Sequence, residues 1–559
     1  VRLARLVVFA ASVHACAPSD PDCRFADLDG DGYGDPTTCI ADGVVVGDDC
    51  DDAASNVSPG EVERCDAVDN DCDGLVDDAV DLDLDGHDAQ ACGAGDDCND
   101  ADSAISPGAP DACGDAIDAD CDGHDAVCQS EVPLSGGAFL YARAGDEAGQ
   151  LVEAGDVDGD GHAEVFTATM AADRLSGGGW VVSPGVDAGE ASIAAVSWRV
   201  DGVGPGEGAG RSIALGDANA DGVEDVVIGA PFGGDCRVDV LFGPLSSDRG
   251  LADADASFTV SGPTTYCGHG SDLGDLDGDG AADLVVGAYA SSEGGAEAGA
   301  LYVSYGPVAA GKVDLASAAD ARWVGDVAAA WAGRVVRVAD DLDGDGLADI
   351  VAAAVGLSVG GPAAGGVYLL FGAPSGVASL SDADARLIGE DPYDYAGVAL
   401  ATGDLDHDGR SDVVVGAQNS RAATAAGAAY VVFGGVSGDV DLAAADVIFR
   451  GTAASQSAGG GVAVGDVRGD GAASLVVGAP GDTAGMGGAW LYLDVARGSY
   501  SLDDADVRLS GAHAGGEAGW GLAIGDVNAD GAGEILVGAP RDAVGGTSAG
   551  GLYVLALGR

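Results

Sequence analysis

A nine-residue acidic loop recurs seven times along the chain, and its period constrains the fold more than any other feature. Its clearest copy is Asp275-Leu-Asp277-Gly-Asp279-Gly280-Ala-Ala-Asp283, followed by the apolar run Leu284 to Ala288. Copies start at Asp156, Asp217, Asp275, Asp341, Asp404, Asp466 and Asp526, at intervals of 61, 58, 66, 63, 62 and 60 residues. Carboxylates at alternate positions, with a fourth at position 9, form an all-oxygen cage of the kind that hard divalent cations, above all calcium, prefer. A glycine at position 6 permits the sharp turn. An EF-hand would close at position 12 between helices; here short β-branched runs flank the loop, so it joins two strands.

Each period reads as four strands. The first enters the loop, as in Gly521 to Gly525, and the second leaves it, as in Glu534 to Pro540. The third carries a Gly-aromatic-aliphatic pattern, as in Gly366-Val-Tyr-Leu-Leu-Phe-Gly372. The fourth follows an Asp-Ala-Asp signal, as in Asp382-Ala-Asp384. Four short strands per repeat, arrayed radially, make a propeller blade. The fold class expected is all-β, a seven-bladed β-propeller over residues 133–559. The chain ends after a third strand, and the array opens with what reads as a fourth, Ala138 to Gly145. That N-terminal strand would complete the last blade and leave no open edge.

The ligand positions are 1, 3, 5 and 9. They are Asp156, Asp158, Asp160 and Glu164; Asp217, Asn219, Asp221 and Asp225; Asp275, Asp277, Asp279 and Asp283; Asp341, Asp343, Asp345 and Asp349; Asp404, Asp406, Asp408 and Asp412; and Asp526, Asn528, Asp530 and Glu534. In the sixth loop Arg468 holds position 3 and Ser474 position 9. Its guanidinium can replace the cation by pairing with Asp466 or Asp470, so this loop is expected to bind weakly or not at all. About six calcium ions are thus expected in the propeller. The run Gly-Asp-x-Asp/Asn-x-Asp-Gly, then Val-Gly-Ala-Pro, then Tyr-x-x-Phe-Gly resembles the FG-GAP repeat of integrin α-subunits and related bacterial surface proteins. The resemblance implies calcium between first and second strands, with position 7 adding its carbonyl.

Residues 17–132 form a separate module, expected to be braced by disulfides and calcium, with little regular secondary structure. Gly47 to Gly60 repeats as Gly95 to Gly108, and Asp69-Asn-Asp71-Cys72-Asp73-Gly74 repeats as Asp118-Ala-Asp120-Cys121-Asp122-Gly123. Asp27, Asp29 and Asp31 supply a further candidate cage. These spacings resemble the MopE-type metal-binding repeat of bacterial surface proteins. That family includes a copper-associated member, so copper stands as the alternative cargo. Carboxylates and oxidised cysteines favour calcium.

The 559 residues carry 94 acidic and 23 basic side chains, a net charge of -71, which argues against nucleic acid as a partner. Residues 1–16 read as a signal segment, and Val13-His14-Ala15-Cys16 resembles a lipobox that would lipidate Cys16. Of the 13 cysteines, the other twelve fit six disulfides in an oxidising compartment. Cys236 and Cys267 fall on the face away from the loops and are expected to pair. The chain reads as exported, an outer-membrane or cell-surface lipoprotein or a secreted protein, touching a membrane only through the lipid.

Arg468-Gly-Asp470 spells an integrin-recognition tripeptide, but Asp470 is position 5 of the sixth loop, which accounts for it. Gly356-Leu-Ser358-Val-Gly360 and Gly546-Thr-Ser548-Ala-Gly550 match a nucleophile elbow by chance in a chain with 96 glycines. No catalytic residues are assigned. Phe232, His269, Tyr289, Trp331, Tyr393, Tyr395, His513 and Trp520 lie away from the loops and are binding candidates, unless they wedge between blades. The expected function is that of a calcium-binding, non-enzymatic cell-surface protein, acting in adhesion or in binding a surface protein or polysaccharide through the propeller face. The alternatives are metal sequestration by the N-terminal module, or service as the accessory propeller of a secreted hydrolase system.

Overall fold

In the computed structural model, the described residues are 130–134, 137–169, 178–182, 189–193, 197–204, 206–232, 236–262, 265–420 and 426–556, with short stretches and single positions between 24 and 106. The chain divides into compact units 1–128 and 129–559. In the first, Arg24–Ala26 pairs antiparallel with Asp35–Ile40, and Cys50 is bonded to Cys72. Cys16, Asp27, Asp29, Asp31, Asp73, Asp118, Asp120 and Asp122 lie outside the described residues.

The second unit is a seven-bladed β-propeller. Its seven sheets each contain one acidic loop, between the first and second strands. Blade three shows the pattern: Cys267–Gly274 enters the loop, Asp283–Ala288 leaves it, and Ala300–Ser304 and Ala321–Val324 continue the antiparallel order. Second strands are apolar on both faces and fully buried, because each is covered by a neighbouring blade on either side. Seven apolar clusters fill the seven interfaces between blades, including that between blades seven and one.

Each sheet has five strands, one more than the sequence pattern implies. The extra strand comes from the next repeat, between its third and fourth strands, and pairs parallel with the outer edge. Gly311–Asp314 of repeat three, for example, lies beside Ala256–Thr259 of blade two. It covers an otherwise open edge.

Closure uses the N-terminal side of the unit twice. Ala138–Tyr141 pairs with Gly551–Leu555 as the fourth strand of blade seven. Ser130–Pro133 pairs parallel with Val507–Ser510 of blade six. The expected module boundary at 132/133 is therefore corrected: residues 130–133 belong to a propeller sheet. A parallel bridge from Gly550 to Ala148 repeats the one from Gly299 to Ala332 between successive blades, so the ring is closed.

Candidate metal centres

Each loop is folded by its own carboxylates. In blade three, Asp275 Oδ1 accepts the N–H groups of Gly278 and Asp279 at 2.8 and 3.1 Å, and Oδ2 accepts that of Gly280 at 2.9 Å. Asp277 Oδ1 accepts from Asp279 N at 3.1 Å, and Asp279 Oδ1 from Ala281 N at 2.9 Å. Gly280 sits at φ 90°, the left-handed turn that glycine makes without steric cost. The remaining carboxylate lone pairs are left for a cation.

Position 9 has a second task. Asp283 is fully buried; its Oδ2 accepts from Leu276 N at 2.8 Å, and its Oδ1 from Gly306 N at 2.7 Å. Asp225, Asp349 and Asp412 hold Gly243, Gly372 and Gly434 at 2.8, 2.8 and 2.9 Å in the same way. The residue before that glycine is fixed by an aspartate just ahead of the fourth strand, the last of an Asp-Ala-Asp run in blades two and four and of an Ala-Ala-Asp run in blades three and five. Phe242, Tyr305, Phe371 and Phe433 donate their N–H groups to Asp255, Asp320, Asp384 and Asp446. The aromatic-glycine pair ending each of these third strands is thus tied to the metal loop on one side and to the outer strand on the other.

The carboxylates converge. Ligand oxygens of Asp156, Asp158 and Glu164 lie within 4.8 Å of one another, as do those of Asp341, Asp343 and Asp349, and of Asp404, Asp406 and Asp412. In blade three it is Asp275, Asp277 and Asp279 that meet. Position 5 stands apart from the first three of these clusters, and position 9 from the fourth. Burial, which penalises the charged form, pushes the Asp225, Asp349 and Asp412 carboxyls up to about 6 and that of Glu164 up to about 7. Neighbouring carboxylates add to the shift, while backbone N–H groups oppose it. A divalent cation among these groups would relieve that cost.

Two orphaned atoms support the fit. Glu164 Oε1 and Asn219 Oδ1 are buried without a hydrogen-bond partner. Asn219 turns its amide nitrogen to Asp221 Oδ2 at 3.0 Å, and Asn528 turns its own to Glu534 Oε1 at 2.6 Å. In both loops the amide donors occupy the side where carboxylates would meet a cation.

The sixth loop carries its cation covalently. Asp466 still accepts from the N–H groups of Arg468, Gly469 and Gly471. Arg468 pairs with Asp470 at 3.1 Å, as expected, and not with the side chain of Asp466. Its second partner is Asp494 at 3.1 Å, which the sequence reading missed. Asp494 replaces the glycine that position 9 binds elsewhere, and Ser474 Oγ donates to Leu493 O at 3.4 Å. Two residues of the loop and one past the end of the third strand thus place a guanidinium among the carboxylates.

The remaining candidates separate. Cys236 and Cys267 are disulfide-bonded. Phe232 and Tyr289 cluster with Tyr266, and His269 packs edge-on to Tyr289 at 5.1 Å between centroids. Trp331 packs against the interface of blades four and five and donates to Glu297 at 3.1 Å. Trp520 donates to Glu517 at 3.1 Å, and His513 bonds Asp542 at 2.6 Å. Tyr393 remains 45 % exposed, and Tyr395 adopts φ 55°. Ser358 Oγ donates to Gly356 O and accepts from Ala363 N, both at 3.1 Å, which braces its loop.

Residues 209–241, 268–304, 396–432 and 518–555 match the FG-GAP repeat. Four FG-GAP repeats thus lie within the propeller. Residues 49–78 and 97–126 match the MopE-type family described as "Putative metal-binding motif". Phosphatidylinositol-glycan-specific phospholipase D of Bos taurus is 32% identical over 170 residues, 28% of this chain and 20% of that protein. Integrin alpha pat-2 of Caenorhabditis briggsae is 27% identical over 234 residues, 38% of this chain and 18% of that protein. The chain thus spans about a fifth of each relative's length. Among solved structures, the V. cholerae biofilm matrix protein Bap1 matches at 16% identity and TM-score 0.26, over 55% of this chain and 40% of that one. Chaetomium thermophilum Sqt1 matches at 12% identity and TM-score 0.40, over 76% and 98%. Both are too distant to bear on function. The FG-GAP blades bring together acidic clusters that could hold metal ions, and the MopE-type motifs are rich in acidic residues as well.

Proposed function

We propose that the protein is a calcium-binding, non-enzymatic surface protein whose propeller binds an extracellular protein or polysaccharide, a role of the kind integrin α-subunits serve. The observation that carries this reading is the convergence of oxygen-only donors in loops that already satisfy their own backbone. Such a loop is preorganised for a hard cation and offers soft metals no ligand. The disulfides Cys50–Cys72 and Cys236–Cys267 fit export to an oxidising compartment, with the lipid on Cys16 as anchor. The MopE-type module is then a calcium-braced stalk. Extracellular calcium modules bind at roughly 10⁻⁴ to 10⁻³ M, so folding would track the calcium outside the cell.

The test is metal content by mass spectrometry after equilibration with calcium and copper together. Six of the seven propeller loops carry a full ligand set, so about six calcium ions, a few more in the stalk and no copper are expected. Stoichiometric copper held by residues 17–132 would move the function to metal capture.

A further inference from the structure

The axis of the propeller holds a cavity of about 330 Å³ lined by the innermost strands of all seven blades. Its two ends differ. Toward the acidic loops, Arg337 of blade four reaches Glu153 of blade one at 3.0 Å, with Asp272 of blade three alongside. This ion pair crosses the axis, and with Asp272 that end carries one guanidinium against two carboxyl groups. Away from the loops, Arg211, His269 and Arg334 sit on three adjacent blades, at or near the starts of their inner strands.

Arg211 and Arg334 are the anomaly. In a chain with 94 acidic side chains for 23 basic ones, most described arginines are ion-paired. Among the described residues, these two face the same cavity with no carboxylate in ion-pair range. They are close enough for each to disfavour charge on its neighbours: burial, and then Arg334, lowers the Arg211 pKa. Both guanidiniums are held by rings, Arg211 over Phe232 at 5.6 Å and Arg334 over Tyr289 at 5.9 Å. Tyr266 packs between the two rings and adopts φ 47°, a conformation that costs energy in a non-glycine residue. The Cys236–Cys267 disulfide fixes the adjoining segment.

His269 completes the set. Its Nδ1 lies 3.0 Å from the carbonyl oxygen of Arg334, which can only accept, so Nδ1 carries the proton. Burial and the two arginines keep the ring neutral, with its pKa pushed down to about 4. Nε2 then carries a lone pair, in a ring that lines the same cavity as the two arginines.

The geometry points to a binding site for an acidic sugar at the mouth of the axial channel opposite the metal loops. The carboxylate would span Arg211 and Arg334, each steadied by its ring, and a ring hydroxyl would donate to His269 Nε2. The rest of the molecule carries a large negative charge, which repels polyanions, so the fitting ligand is a terminal residue with one negative charge. This deepens the proposed surface-binding role by naming its ligand class.

The test is calorimetric titration of the calcium-loaded full chain with methyl β-glucuronide, methyl β-glucoside, sodium sulfate and an acidic peptide. Binding of the glucuronide with a Kd below about 1 mM, and none of the neutral glucoside, is expected. Arg211→Gln with Arg334→Gln should weaken it at least about tenfold, with calcium content and circular dichroism unchanged. No glucuronide binding at about 10 mM, an unaffected double variant, or sulfate or peptide binding equally well would overturn the assignment. Calcium content, measured on the same samples, keeps a failure of this site distinct from a failure of the calcium reading.

Discussion

At the scale of single residues, the sixth loop isolates what a cation contributes. The bonds of Gly469 and Gly471 to Asp466 match those of Gly278 and Gly280 to Asp275, so this turn does not depend on the ligand set. What differs is charge: Arg468, Ser474 and Asp494 stand where the other blades have Asp or Asn, Asp or Glu, and in four of them Gly. Arg468→Asp, Ser474→Asp and Asp494→Gly together restore both ligands and the glycine N–H that braces position 9. The triple variant is expected to bind one more calcium ion than the parent, read by mass spectrometry. An unchanged count would mean that the loop discriminates by shape rather than by its donors. The turn itself was legible in the sequence, because its carboxylates at positions 1, 3 and 5 are local and spaced by two. The double duty of position 9 was not, because its partner lies far along the chain, as Gly306 does from Asp283. Nor was the guanidinium's second partner, Asp494, visible from spacing alone.

At the scale of the strand, the Val-Gly-Ala run owes its glycine to the neighbouring blade. A Cβ on Gly287 would lie 1.9 Å from Gly333 O, and one on Gly538 1.9 Å from Gly149 O. Backbone meets backbone there, so no side chain can move aside. Gly287→Ala is expected to cost about 1–3 kcal/mol, as overpacking of a tight interior does, measured by urea unfolding in saturating calcium. Blade four supplies the control, since it carries Ala353 at that register and meets Gly397 instead. Ala353→Gly should therefore lack the steric term, and an equal loss in both variants would refute the close-approach account. The apolar second strands and aromatic third strands were readable because their patterns repeat. The fifth strand was not. Gly311–Asp314 is short and mostly polar, and its partner belongs to another repeat, so no local periodicity marks it.

At the scale of the whole molecule, the ring is a one-dimensional array that must find its own beginning. Each blade buries its apolar faces only against neighbours, so an unclosed array would expose the outer interfaces of blades one and seven. One closing strand, Ala138–Tyr141, read in the sequence as a fourth strand standing ahead of the first loop. The structure adds a second, because the outer parallel strand of every blade is supplied by the repeat that follows it. Blade six must therefore borrow from residues ahead of the first loop. The cationic axial mouth was invisible in the sequence for a related reason: Arg211, His269 and Arg334 lie 58 and 65 residues apart and meet only when the ring forms. Deleting residues 1–142 removes both closing strands and leaves every acidic loop intact. It opens the edges of Gly551–Leu555 and Val507–Ser510, which then present unpaired N–H and C=O groups. The expected outcome in saturating calcium is a melting midpoint at least about 5 °C lower, with a mass by light scattering above that of one chain as edges pair between molecules. If midpoint and mass both match those of the full chain, closure rests on the side-chain interface between blades seven and one, and the two N-terminal strands only cover it.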